Sequence, residues 1–221
     1  MTKTKVQPQV TSTIAGDDGE AMEKSKKKTT KKVEIKEPNK GLDPPDDAGW
    51  YVAVVRVNCE IKIADSIRSN LNCDGIWFDY WIPKIKVVYI DKRTSKRKLK
   101  EKLFLSTFIF CHVSSRQLDK IRFRSDVYKM LTMPGQRNIY RVPDHEILNY
   151  RKLIENDEEP VSVAPVPLKK GIKVRIMAGS MKGVEAYVQR FTSKKAVIGS
   201  EIKYVSGATI EISRELLEIV L

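Results

Sequence analysis

The distribution of apolar residues separates a polar N-terminal segment from two patterned regions. Residues 1–49 are rich in Lys, Thr, Asp, Glu and Pro and contain almost no clustered apolar residues. Such a segment cannot bury enough apolar surface to offset the entropy lost when its backbone is ordered. The pattern therefore predicts a disordered, lysine-rich tail over residues 1–49 and folded structure from Trp50 onward.

The first patterned region alternates between strand and helix signals. WYVAVVRV at 50–57 has the aromatic and β-branched density of a buried strand. Apolar residues then recur at helical spacing from Glu60 to Leu71, which predicts a helix crossing that strand. The resulting β-α-β-β-α-β-α order predicts an α/β sandwich over residues 50–155. Its remaining elements are strands at 77–88 and 98–113 with a basic loop between them, a short helix from Ser114 to Phe123, a strand from Val127, and a helix from Pro143 to Ile154.

The second patterned region contains strand signals only. It follows residues 156–167, NDEEPVSVAPVP, whose composition is typical of a linker. Short strands separated by Gly and Ser close most economically into a small barrel, because closure removes unpaired edges. We therefore expect a β-barrel over residues 168–221, which makes the fold class of the whole chain α+β. The predicted strands are 172–177, 184–191, 194–199, 201–205, 208–212 and 216–220.

The positive charge is concentrated in the folded part of the chain. Residues 1–49 carry ten lysines and nine acidic residues, so residues 50–221 hold +12 of the net charge of +13. Basic domains suit a polyanionic partner such as nucleic acid.

The chain lacks the residue patterns of an enzyme, a metalloprotein or a membrane protein. Its three cysteines form no CxxC pair, and only two histidines could complete a zinc site, so no metal is expected. No phosphate-binding glycine loop, nucleophile elbow or HExxH occurs, so we predict a non-enzymatic protein without a cofactor. No apolar run is long enough to span a bilayer, and the N-terminus has no signal-peptide core. A soluble, monomeric protein of the cytoplasm is expected.

A glycine turn between two strands begins the second region. In GIKVRIMAGSMKGVEAYV at 171–188, Gly179 and Gly183 permit positive φ, and Met181 and Lys182 are placed at the tip. This segment resembles the KOW motif, although Ala186 stands where a third glycine is usual. KOW barrels occur in ribosomal proteins and in transcription elongation factors of the NusG family.

The order of motifs before the turn distinguishes between these two classes. Trp50-Tyr51, an aromatic strand at 104–110 that is expected to be exposed, and Arg124-Ser125 stand in that order ahead of a terminal KOW motif. This set resembles the NusG N-terminal domain, and the resemblance covers residues 50–221. The family commonly has Pro-Gly where this chain has Ser106-Thr107, which leaves the geometry of that turn open. The long basic loop and the tail are similar to the specialised antiterminator branch of UpxY and RfaH paralogues.

The resemblance implies a transcription antitermination or elongation factor that binds the clamp helices of RNA polymerase and suppresses pausing and termination. The polymerase-binding residues that it implies, which could alternatively be core residues, are Phe104, Leu105, Phe108 and Phe110. The residues implied near non-template DNA or nascent RNA, which could alternatively be solvated surface, are Arg56, Lys62, Ser66, Asn70 and Arg124.

Two further surfaces complete the predicted sites. The densest basic stretch includes Lys96, Arg97 and Lys98 and could hold DNA, although charge runs are often simply solvated loops. In the KOW turn, the resemblance implies that Gly179, Met181, Lys182 and Gly183 contact a small-subunit ribosomal protein or the termination factor Rho. Met181 is expected to be exposed there, although a methionine at a hairpin tip could alternatively fold back onto the barrel. An alternative is a ribosome-associated or rRNA-binding KOW protein, which would not need the α/β domain that begins at Trp50.

Overall fold

The computed structural model describes residues 39, 41–164, 166–167 and 171–220. Residues 1–38 and 40 of the predicted tail lie outside the described residues, whereas 41–49 are described and the first strand begins at Ala48, two residues before the predicted start of order at Trp50. The described residues belong to one compact unit. In chain order, its elements are β1 (Ala48–Val55), α1 (Glu60–Cys73), β2 (Asp79–Trp81), β3 (Lys84–Ile90), β4 (Arg97–Leu103), β5 (Phe108–Ser114), α2 (Leu118–Arg122), β6 (Val127–Met130), β7 (Arg141–Val142), α3 (Asp144–Ile154), β8 (Ser162–Ala164), β9 (Lys173–Ile176), β10 (Glu185–Phe191), β11 (Lys195–Ile202), β12 (Ser206–Ser213) and β13 (Leu217–Ile219).

The N-terminal sheet has the strand order β2-β5-β1-β6, and β7 also pairs with β1. All of its pairings are antiparallel. Successive residues of β1 point to opposite faces of this sheet. Tyr51 and Ala53 enter a core with α1 and α2, whereas Val52 enters a second core with α3. The sheet is therefore covered by helices on both faces, as the α/β sandwich prediction required.

Helix α1 forms where its apolar spacing predicts. Ile63, Ile67 and Leu71 lie on one face and are buried against the sheet. The helix ends at Cys73, and Gly75 follows with a φ of 71°, a conformation that glycine adopts without steric cost.

Each of the two long strands predicted at 77–88 and 98–113 is broken in the structure. Pro83 separates β2 from β3, consistent with its lack of a backbone N–H to donate. Residues 104–107 separate β4 from β5, and Thr107 there has a φ of 72°. As a result, β3 and β4 pair only with each other and form a two-stranded hairpin.

The C-terminal sheet has the strand order β13-β9-β10-β11-β12-β8. The two strands predicted at 194–199 and 201–205 are instead largely one strand, β11, followed by a turn. The predicted linker also contributes β8, whose residues pair with β12. The mixed α/β architecture is confirmed, whereas closure of these strands into a barrel stays a prediction.

Helix α3 connects the two sheets. Tyr150 and Leu153 on this helix belong to one apolar cluster that includes Phe110 of the N-terminal sheet and Ile198 of the C-terminal sheet. The ring of Tyr140, just before β7, meets the ring of Tyr204 edge to face at 5.4 Å. Because burial of apolar side chains is the main stabilising term in folding, this shared cluster holds the two sheets together.

Candidate functional site

The predicted apolar partner-binding residues are mostly internal. Phe104, Leu105 and Phe110 are buried, and Phe110 packs against the ring of Trp81 at 5.1 Å. Phe108 is only partly buried at the start of β5. Phe108 is therefore the member of this set that has side-chain surface available to a partner in this structure. The roles of all four in partner binding stay predictions.

An aromatic cluster lies toward the other end of β5. Trp50 and His112 are paired across β1 and β5, and their rings stack at 4.5 Å. Trp77 meets the same imidazole edge to face at 5.1 Å. Burial lowers the pKa of His112 below its ordinary value, while Asp144 and Asp79 act in the opposite direction.

The predicted nucleic-acid residues Lys62, Ser66 and Asn70 lie on α1, Arg56 lies in the loop before it, and Arg124 lies in the turn after α2. Arg56, Lys62 and Asn70 are exposed, and Ser66 is partly buried. The guanidinium Nη2 of Arg124 donates to Ser66 Oγ at 2.9 Å, so the structure brings these two predicted residues together.

The Arg124 guanidinium is largely occupied within the protein. It donates from Nε and Nη2 to the two carboxylate oxygens of Asp126 at 2.8 and 2.7 Å. This bidentate hydrogen bonding lowers the pKa of Asp126. A phosphate would have to compete with Asp126 for this guanidinium, whereas Arg56 and Lys62 are exposed.

The turn between β3 and β4 is organised by Asp91. Its Oδ1 accepts the backbone N–H of Arg93 at 2.9 Å, and its Oδ2 is in contact with the ammonium group of Lys98. Hydrogen bonding from Lys98 lowers the pKa of Asp91. Lys96 and Arg97 are exposed beside this turn. The basic stretch is therefore displayed on a structured hairpin.

The turn at 179–183 differs from the expectation in one respect. The exposure expected for Met181 is wrong, because its side chain is 1% exposed and packs in the apolar cluster around α3. Lys182 and the two glycines are exposed, with φ values of 80° at Gly179 and 86° at Gly183. The backbone N–H of Ser180 donates to Oε1 of Glu158 at 2.9 Å, which ties the predicted linker to this turn.

A cleft of about 480 Å³, lined mostly by residues with polar or charged side chains, lies between α3 and the C-terminal sheet. Glu146 lines it, and burial raises the pKa of that carboxyl group above its ordinary value, while His145 acts in the opposite direction. Across 41–164, 166–167 and 171–220, no group of His, Cys, Asp and Glu side chains is arranged to hold a metal ion. None of the helices in the described part of the chain has the length and apolarity needed to cross a bilayer.

Sequence reasoning missed several surface residues. Phe123 and Tyr128, at the two sides of the turn after α2, are 76% and 68% exposed. The guanidinium of Arg122 lies over the Phe123 ring at 5.4 Å. Both aromatics lie in segments predicted as ordinary helix and strand. The sequence signal that could have found them is their alternation with Lys and Arg over 120–129, which is typical of nucleic-acid surfaces.

Comparison with known proteins identifies the first region. Residues 48–151 match the family model NusG, described as transcription termination factor nusG. The match spans 104 of the 221 residues and makes this region similar to the NusG family. Its bounds run from the first residue of β1 into the last turns of α3. No curated protein matches the chain.

Among solved structures, Thermotoga maritima NusG is 16% identical with a TM-score of 0.41; the match covers 79% of this chain and 98% of that one. Two conformations of the MjSpt4:Spt5 complex are each 16% identical with a TM-score of 0.28. These matches cover 77% of this chain and 97% or 96% of the other.

Proposed function

We propose that the protein is a transcription elongation and antitermination factor. Its NusG-like domain binds RNA polymerase at the clamp helices, and its C-terminal sheet is a KOW barrel that recruits a second partner. The factor acts without catalysis, because preferential affinity for the elongating state over the paused state shifts the population toward elongation. It resembles the specialised UpxY and RfaH branch of bacterial factors.

The observation that carries the proposal is the family match over residues 48–151, which covers the domain containing β5. Within this domain, the aromatic ring of Phe108 is only partly covered by the rest of the protein. Partly exposed aromatic side chains supported by a rigid sheet are favourable anchors at protein interfaces. Phe104, Leu105 and Phe110 then position Phe108 from within the core and do not all contact the polymerase directly.

The basic residues at one end of the domain support a nucleic-acid contact during transcription. Arg56 and Lys62 are exposed close to the start of α1, and Asn70 is exposed two turns further along. Exposed cations of this kind neutralise phosphates and supply binding that does not depend on base sequence. Non-template DNA or nascent RNA is the proposed ligand, and Arg124 supports this surface from the adjacent turn through its hydrogen bond to Ser66 of α1.

The second partner is proposed to be a small-subunit ribosomal protein or Rho, bound at the turn around Gly179 and Gly183. Lys182 is the exposed side chain at that turn. Because Met181 is buried, its part in this contact would require the turn to separate from α3. An rRNA-binding or ribosome-associated protein is the alternative function, and the two are distinguished by whether polymerase or ribosomal subunits are captured.

The experiment is capture of RNA polymerase from the source cells by the immobilised full chain. The wild-type protein should retain polymerase, and Phe108→Asp should abolish retention, because a carboxylate cannot be desolvated cheaply against an apolar surface. Phe191→Asp is the control, since Phe191 is a phenylalanine with even more exposed surface, 50%, but lies on β10. Circular dichroism should show that both variants remain folded.

Two outcomes would count against the proposal. One is retention of polymerase by folded Phe108→Asp at the wild-type level, which would remove β5 from the interface. The other is capture of ribosomal subunits without polymerase, which would favour the alternative function. A terminator read-through assay with purified polymerase then tests antitermination directly, and increased read-through is the expected result.

A further inference from the structure

The β3–β4 hairpin has two chemically different faces. In an antiparallel pair, directly opposed residues point to the same face. One face, here called the lysine face, is built from three such pairs: Ile85 with Lys102, Val87 with Lys100, and Tyr89 with Lys98. All the cations of this face are on β4, and all its apolar side chains are on β3.

The opposite face has a different composition. Its distal half pairs Val88 with Leu99, the latter 70% exposed, and Ile90 with Arg97, which is the cation of this face nearest the turn. Its proximal lysines are neutralised by acids: Lys84 lies 3.3 Å from Glu101, and Lys86 lies 2.9 Å from Asp157.

The lysine face keeps its charge. Within the described part of the chain, Lys100 and Lys102 form no ion pair, and neither β3 nor β4 places an acidic residue on their face. Lys98 contacts Asp91 at the turn. Lys100 and Lys102, the two lysines of these strands that form no ion pair among the described residues, therefore share one face.

We propose that the lysine face binds single-stranded nucleic acid. Same-face residues on a strand are about 6.8 Å apart, so Lys98, Lys100 and Lys102 form a regular ladder of ammonium groups that can follow a phosphate backbone. Tyr89 lies half-exposed beside the ladder and offers a ring on which a base can stack. Val87 and Ile85 extend this apolar row toward the base of the hairpin.

The apolar row of Ile85, Val87 and Tyr89, which runs beside the lysine ladder, selects a single strand over a duplex. In a duplex the base faces are stacked on one another, so a protein side chain meets phosphates and groove edges but no free base face. A ladder without the row would bind both forms through charge alone. The inference deepens the proposed function, in which transcription supplies the single strand, but the binding itself requires no polymerase.

The experiment measures fluorescence anisotropy of a labelled oligothymidylate with the full chain across a range of salt concentrations. Lys100→Gln/Lys102→Gln should weaken binding about tenfold or more and reduce the slope of log affinity against log salt by about 0.7 for each phosphate that is no longer neutralised. Lys84→Gln/Lys86→Gln is the matched control, because it removes two lysines from the other face of the same hairpin. This control should weaken binding markedly less. Equal weakening in the two variants, or none in either, would overturn the inference.

A second pair of variants tests the aromatic contribution. Tyr89→Leu should weaken binding by at least about fivefold without changing the salt slope, because base stacking on an aromatic ring is removed but no cation is. Tyr89→Phe should retain binding. Equal affinity of Tyr89→Leu and wild-type protein would show that the ladder acts through charge alone and would overturn the selection of single strands.

The choice of nucleic acid completes the test. Oligouridylate and oligothymidylate both have phosphates and exposed base faces, so binding to either supports the inference. The ratio of the two affinities shows whether RNA or DNA is preferred. Tighter binding to a duplex of the same length would overturn it. Polymerase is absent from these measurements. The binding proposed for the lysine face can therefore be refuted although polymerase capture succeeds, and it can be supported although polymerase capture fails.

Discussion

The backbone N–H of Thr107 donates to Oε1 of Glu60 across 2.7 Å, joining the turn before β5 to the first residue of α1. Glu60 is buried, and Thr107 has a φ of 72°. The carbonyl oxygen of Thr107 accepts the N–H of Val55 at 2.8 Å, so the same residue also extends the hydrogen bonding of β1. A β-branched residue in the left-handed region is a strained outlier that its surroundings must hold in place.

Thr107→Gly should stabilise the protein. The left-handed conformation costs a residue with a Cβ about 1–2 kcal/mol, and the extra freedom of glycine in the unfolded chain offsets about 0.4–1 kcal/mol of the relief. We expect a net gain of about 0.5–1 kcal/mol in the free energy of unfolding by urea. Thr107→Ala keeps the Cβ and should show no gain. A glycine variant less stable than the alanine variant would contradict this account.

Glu60→Ala should destabilise the protein by about 1–3 kcal/mol, because it leaves the N–H of Thr107 without its acceptor and removes a negative charge from the first turn of α1. Glu60→Gln keeps an acceptor oxygen and should be less destabilising. Urea unfolding of both variants measures the difference. If the two are equally destabilised, the hydrogen bond to Thr107 is not what Glu60 contributes.

The Glu60–Thr107 bond also shows what the sequence could not predict. The helical spacing of Ile63, Ile67 and Leu71 locates α1, because a periodic apolar face is a local signal. By contrast, nothing in threonine indicates a positive φ, so the sequence predicts no geometry for the turn before Phe108. The carboxyl group that holds this turn comes from 47 residues earlier in the chain. Contacts between distant segments leave no trace in local composition.

Other differences between the sequence predictions and the structure also arise from contacts between distant segments of the chain. The Pro-rich surroundings of residues 162–164 predict a linker, but the backbone of these residues pairs with β12. The sequence places Met181 at an exposed tip, and its burial comes from packing near α3, which sequence spacing does not report. The hydrogen bond of Arg124 to Ser66 likewise has no sequence signal, although both are among the predicted nucleic-acid residues.

The pH dependence of stability should include a contribution from Glu185. Its carboxylate lies 2.6 Å from Lys173 Nζ and 2.7 Å from Arg175 Nη2, and these hydrogen bonds lower its pKa from 4.5 to about 2. Because the folded state favours the deprotonated form, the contribution is fully present above about pH 4.5 and is lost as the pH falls toward 2. The pairs are solvent-accessible, so the effect should stay below about 1 kcal/mol.

Glu185→Gln should therefore lower stability at neutral pH and reduce the loss of stability between pH 7 and the acid range. Urea unfolding at several pH values measures both quantities. Glu211→Gln is the control, because Glu211 is exposed on β12 and forms no ion pair among the described residues. An acid-induced loss in Glu185→Gln that matches the wild-type protein would show that these ion pairs do not contribute.

The last prediction concerns the two glycines of the turn at 179–183. Both have positive φ, so alanine at either position should cost about 1 kcal/mol from backbone strain. Their surroundings differ. A Cβ on Gly179 would lie 2.6 Å from Oε2 of Glu158, whereas a Cβ on Gly183 would meet nothing within 4 Å.

Gly179→Ala should consequently cost more than Gly183→Ala, because the Glu158 carboxylate must move and its hydrogen bond from the Ser180 N–H is broken or weakened. We expect an additional cost of about 1 kcal/mol, which is below the ~1.5–3 kcal/mol of a hydrogen bond to a charged group because the Glu158 carboxylate is exposed and can still reach water. A double-mutant cycle isolates this part. In a Glu158→Ala background the bond is already absent, so the two glycine variants should become equally destabilising, and a difference that persists there would assign the extra cost of Gly179→Ala to the backbone alone.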